Sequence, residues 1–85
     1  SRTIIKKPTG TVTLFAFDQG EGLSTHSAPY DALVQIVEGE AAITVNDEDY
    51  TVGEGEMILM PANDPHALTA KQPFKMMLVM VKGEK

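Results

Sequence analysis

Apolar and polar residues alternate along "TVTLFAF" (11–17) and "AAITV" (41–45), the two-residue period of a strand with one face buried. No window sustains a 3.6-residue apolar period, so the pattern predicts no amphipathic helix. Residues 33–37, 50–52, 57–60, 66–69 and 74–81 read as further strands. Turn signals separate them: glycines at 20 and 22, Glu38-Gly39-Glu40, Asn46-Asp47, Gly53-Glu54-Gly55, and the proline-framed stretch 61–65. Many short strands at near-regular spacing predict an all-β sandwich or small antiparallel barrel, which removes exposed edges by closing on itself. Its interior is then the one sizeable cavity to expect.

Two runs depart from simple alternation. "ALVQIV" (32–37) and "MMLVMV" (76–81) are apolar on both faces, whereas a barrel strand facing water is expected to be polar outside. Something is expected to cover that outer face, and the economical candidate is a second copy of the chain, packed face to face in a two-fold homodimer. The five methionines (Met57, Met60, Met76, Met77, Met80) lie in these strands and read as pliable packing rather than as ligands for a soft metal.

Composition narrows the picture. At 85 residues the chain fits one domain, 1–85, and a domain this small buries only about two-thirds of its unfolded surface, so a partner subunit would add stability. There is no cysteine, hence no disulfide and no thiolate metal site. The net charge is −5, with acids gathered at Glu38, Glu40, Asp47, Glu48, Asp49, Glu54 and Glu56; such a surface repels phosphate backbones and argues against a nucleic-acid partner. "NDEDYTVGEGE" lacks the ligand spacing and central glycine of a calcium loop, and reads as a solvated face. The longest apolar run falls far short of the ~20 residues that cross a bilayer, and "SRTIIKK" has no signal-peptide apolar segment. The expectation is a soluble cytoplasmic protein without a membrane partner. The first residue is serine rather than methionine, which is compatible with a processed or trimmed chain.

Chemistry has few places to reside. The two histidines, His26 and His66, each stand at a strand boundary beside a proline-containing turn, which suits a site at the mouth of a barrel. The stretches "GEGLSTHSAPYDALVQIVEGE" and "GEGEMILMPANDPHALTA" resemble the two motifs of the cupin superfamily, specifically its small single-domain members. In the first motif Gly20, His26 and Gly39 match, while Ala28 stands where the family has a second histidine and Ala32 where it has a glutamate. In the second motif Gly55, Pro61 and His66 match, with Asn63 in place of a glycine and Ala70 in place of an asparagine. The resemblance implies a double-stranded β-helix, a jelly-roll-like antiparallel barrel with its cavity between two sheets. In the family's full site three histidines and a glutamate hold one divalent transition metal (Fe, Zn, Ni, Mn or Cu). Only His26 and His66 carry over here, and a working site generally has at least three protein ligands.

A third ligand is sought at Asp31 or Gln35. If Ala32 faces the cavity, strand alternation sends both the other way; a bulge after Pro29 would reverse that and assemble His26, His66 and Asp31 into a two-histidine, one-carboxylate set. Tyr30 is a candidate for the cavity mouth, and Asn63 for a ligand-facing loop that tolerates unusual dihedrals. Ser24, Thr25 and Ser27 flank His26 without a legible base or orienting group, so turn and edge roles fit them better than nucleophilic catalysis. Three functions stay open: a barrel binding a small organic molecule or a metal ion; a metal-dependent enzyme, such as an isomerase, decarboxylase or dioxygenase, acting on a small acid or carbonyl; and a protein-interaction module. Metal-bound and metal-free sites are both compatible with the residues.

Overall fold

A computed structural model describes residues 1–82. Among them run nine β-strands and no helix: β1 (Arg2–Lys7), β2 (Gly10–Phe17), β3 (Gly22–His26), β4 (Asp31–Glu38), β5 (Glu40–Val45), β6 (Glu48–Gly53), β7 (Met57–Met60), β8 (His66–Thr69) and β9 (Phe74–Val81). They form two antiparallel sheets, one ordered β1-β2-β9-β4-β7 and the other β3-β8-β5-β6. The two sheets face each other as a jelly-roll barrel, the double-stranded β-helix that the motif resemblance implies.

Alternation does the sorting. On β4 the residues Ala32, Val34 and Ile36 are buried while Asp31, Leu33 and Val37 are exposed. The register carries this face across neighbouring strands: Ala32 sits between Met60 of β7 and Met80 of β9, and Val34 between Ile58 and Leu78. From the opposite sheet Ile43, Val45 and Leu68 complete the core. Phe74, Ile36, Ile43, Met76 and Val34 are its largest fully buried side chains, and truncating an isoleucine or methionine of this kind to alanine typically costs about 2–5 kcal/mol.

The two ends of the interior differ. At one end Phe17 and Phe74, paired across β2 and β9, stack with ring centroids 5.0 Å apart and close the barrel with aromatic bulk. The other end, towards Ala32 and Met80, receives the two histidines among alanine, leucine and methionine side chains, and space is left there.

Strands β7, β8 and β9 begin and end where the sequence pattern places them. Two strands were not expected. β1 is an edge strand exposed along its whole length, with its two isoleucines adjacent rather than alternating, so no burial period marks it. β3 carries a single aliphatic residue, Leu23, and a register shift between Leu23 and His26 breaks its period.

Candidate functional site

His26 and His66 are direct cross-strand partners on β3 and β8. The shift in β3 between Leu23 and His26 makes this pairing, since a bulge adds residues to one strand and re-aims the side chain that follows. The prolines Pro61 and Pro65 frame the loop that delivers His66 into β8, and Asn63 turns that loop in the left-handed region at φ 70°. Its backbone N–H donates to the Ala28 carbonyl at 2.7 Å, tying the two histidine-bearing loops together. Asparagine tolerates this conformation at little cost, which explains how it replaces a glycine here.

The imidazole rings meet edge to face, centroids 4.3 Å apart and planes 74° apart, with Nε2 to Nε2 at 3.1 Å. Each outer nitrogen is anchored on backbone: His26 Nδ1 donates to the Ser24 carbonyl at 2.7 Å, and His66 Nδ1 to the Asp64 carbonyl at 3.1 Å. His66 is buried, with 8% of its surface accessible, while His26 is exposed. Burial pushes the His66 pKa below the usual histidine range; the Asp64 carbonyl opposes that shift, and the charge of His26 adds to it.

The anchors determine the tautomers. A carbonyl oxygen only accepts, so each Nδ1 carries a proton, and in two neutral rings both Nε2 atoms then present lone pairs. Those lone pairs confront each other at 3.1 Å. Three contacts call for three N–H groups, and two neutral imidazoles supply two. At that separation only a hydrogen fits between the two nitrogens, so a larger guest meets them from one side.

Beside the pair lies a cavity of about 130 Å³, lined by His26, His66, Ala28, Ala32 and the methionines Met60, Met76 and Met80, together with aliphatic neighbours. Ala28 and Ala32, the two vacated ligand positions, thus open space next to the surviving histidines.

The other sequence candidates lie elsewhere. β4 keeps a regular register from Asp31 to Ile36, and its one irregularity falls between Ile36 and Glu38, so the bulge that would swing Asp31 inward is not there. Asp31 is exposed and accepts a hydrogen bond from the Ala62 N–H at 2.8 Å, and Gln35 shares its outward face. Neither lines the cavity, and no group of three or more histidine, aspartate or glutamate side chains converges among the described residues. Tyr30 stands outside the lining with the Lys82 ammonium 5.5 Å from its ring centroid, and Asn63 acts through its backbone. The three-histidine, one-glutamate set for a divalent metal therefore does not fit this chain. Ser24 contributes its carbonyl rather than its hydroxyl. Sequence reading passed over Met60 and Met80 as site residues; their positions on either side of Ala32 emerge only from strand register.

Comparison with known proteins agrees with this architecture. A family model for the cupin domain matches residues 13–82, and the chain belongs to the cupin family. A conserved protein of unknown function from Streptococcus pyogenes is 44% identical and superimposes with a TM-score of 0.93, over 98% of this chain and 73% of that one. A cupin 2 conserved barrel domain protein from Leptotrichia buccalis is 39% identical with a TM-score of 0.92, over 95% of this chain and 39% of that one. Salicylate 1,2-dioxygenase from Pseudoaminobacter salicylatoxidans (a G106A mutant) shares the fold alone, at 23% identity and a TM-score of 0.82, over 87% of this chain and 21% of that one. Among proteins of curated function, none matches. No helix among the described residues is long and apolar enough to cross a membrane.

Proposed function

We propose that this cupin is a binding protein whose barrel cavity takes one small guest, held at the histidine pair by a donor group that meets the two Nε2 atoms from the cavity side. The observation that carries this reading is that the two histidines, with Nε2 atoms 3.1 Å apart, line a cavity widened by Ala28 and Ala32. At about 130 Å³ the space is comparable to an apolar cavity of roughly 150 Å³ that accommodates benzene, so an organic guest is limited to about one ring or a short chain. Ring-nitrogen resonances of labelled protein test it, with phenol as a donor probe, toluene as a donor-free control and cations added separately. Phenol is expected to move the Nε2 resonances and toluene to bind at least about tenfold more weakly, by the loss of one buried hydrogen bond. Ala32→Leu, which fills the cavity, is expected to abolish the phenol response. If no probe moves the rings, cations included, the reading falls.

A catalytic role is a second reading, favoured by one observation. His66 is buried, held neutral and oriented through Nδ1, as a general base needs to be. Turnover of a small acid or carbonyl compound that vanishes in His66→Ala at unchanged thermal stability would establish it.

We also propose a homodimer through the outer face of the five-stranded sheet. An apolar row, Val12–Val79–Leu33–Leu59, runs across β2, β9, β4 and β7, beside a second row containing Leu14, Met77 and Met57. Leu59 and Met57 are 56% and 59% exposed. A continuous sheet face of this kind is self-complementary about a two-fold axis. The cytoplasm is our proposed location, in keeping with the acidic surface.

A further inference from the structure

We infer that the groove between β6 and β7 is a docking site for a lysine- or arginine-bearing peptide of another protein, bound in extended form as an added strand on the β7 edge. The groove shares no lining residue with the histidine cavity, so this inference stands apart from the proposed function.

Topology places the groove. β7 ends the five-stranded sheet and β6 ends the four-stranded one, and among the described residues each pairs on one side only. Residues of both edges line a common opening of about 590 Å³. An edge strand presents a row of backbone N–H and C=O groups without a strand partner, and such edges are ordinarily blunted by lysine, proline or inward charge. β7, with the sequence MILM, carries none of these. Its four residues span roughly 13 Å at the usual rise, the reach of an extended segment of about four to six residues.

The lining determines the chemistry of the guest. On β6 the side chains of Glu48 and Tyr50 alternate onto the same face as Val52. Val52 is buried while Tyr50 is 43% exposed, so this inward face runs out of the core into the groove. Ile58 of β7, paired with the buried Val34, shares the inward side from the other wall. Val52, Ile58 and the Tyr50 ring thus offer apolar contact to alternate side chains of an added strand. Three carboxylates, Glu48, Glu56 and Asp64, line the groove as well, and no lysine or arginine is among its lining residues. Among the described residues none of the three is in an ion pair. Glu48 accepts the Tyr50 hydroxyl at 3.0 Å, which sets a carboxylate next to an aromatic ring, two groups that both attract a cation. An extended peptide with basic and apolar residues in alternation meets the charge, the apolar contact and the open backbone edge together. Met57 and Leu59 border the groove but belong to the outer face proposed for the dimer, so the two proposals use different faces of β7.

The test is fluorescence anisotropy of a labelled peptide, acetylated Lys-Val-Lys-Val-Lys-Val amide, titrated with the full chain, followed by amide hydrogen exchange of the complex. The peptide is expected to bind at least about tenfold more tightly than its Glu-Val-Glu-Val-Glu-Val counterpart, to weaken as salt is raised, and to slow exchange in β7. Glu48→Gln with Asp64→Asn is expected to weaken binding about tenfold, with thermal unfolding checking the fold of the variant. Glu56 is left in place because its carboxylate accepts from the Gly53 N–H at 2.7 Å and holds the turn between the strands. The same basic peptide N-methylated throughout, which has no backbone donor, is expected to lose binding. No binding of the basic peptide, or an unaltered affinity in the folded carboxylate variant, overturns the inference. Equally tight binding of the N-methylated peptide, or of spermidine with its three charges and no backbone, overturns strand addition and leaves only a cation-attracting surface. Protection of the same β7 amides without peptide, growing with protein concentration, overturns it in favour of a second copy of the chain.

Discussion

At the scale of the residue, two histidines are asked to share one gap. His66 is the more constrained, buried against the core with its Nδ1 on the Asp64 carbonyl. Its lowered pKa has a consequence for stability. The unfolded chain's histidine takes up a proton near pH 6.5, whereas folded His66 resists until a lower pH. Below about 6.5 the unfolded state therefore binds more protons, and stability falls as the pH drops from there through the folded pKa. Thermal unfolding between about pH 8 and pH 5 is expected to show this decline, and His66→Asn a flatter profile over the same window. An identical slope in the variant would show that His66 does not carry the effect. The alanines at 28 and 32 matter at this scale too, as absences of side chain that leave space and remove charge.

At the scale of the element, β3 determines whether the histidines meet. Gly22 opens that strand with its backbone hard against β8, and a Cβ there would drive into the Leu68 carbonyl. Gly22→Ala is expected to lever β3 away from β8, costing about 1–3 kcal/mol in urea unfolding and separating the two ring systems. Wild-type stability with unshifted ring resonances would show that β3 is placed by its other contacts. Much of the strand layout was legible beforehand, because 57–60, 66–69 and 74–81 combine apolar runs with strong turn punctuation on both sides. β1 and β3 were not legible. β1 has no buried face to impose a period, and β3 is built from glycine, serine and threonine around one leucine, with its partnering governed by β8 rather than by its own pattern.

At the scale of the whole molecule, the five-stranded sheet has an inner face that packs on its partner sheet and an outer face rich in Leu, Val and Met. A chain this small would gain stability if a copy of itself covered that face, as proposed. Sedimentation velocity at micromolar concentration is expected to give a dimer, and Leu33→Lys with Leu59→Lys a folded monomer. A wild-type monomer would instead leave the face to a different partner, as an interaction module. The site and the proposed interface lie on opposite faces of the same strands: Leu33 and Leu59 point outward where Ala32 and Met60 point in.

The sequence by itself determined the all-β class, the inward face of β5, the family motifs, and the placing of both histidines at strand boundaries. These follow from alternation and turn chemistry, which act over a few neighbouring residues. Tertiary structure alone decided that the two Nε2 atoms, forty positions apart in the chain, stand 3.1 Å from each other. It also decided that Asp31 turns outward onto the Ala62 N–H, and that Met60 and Met80 flank the vacated position at Ala32. Those outcomes depend on register between strands distant in sequence and on a bulge within one of them. A shift of one residue exchanges the faces, and no local pattern encodes it.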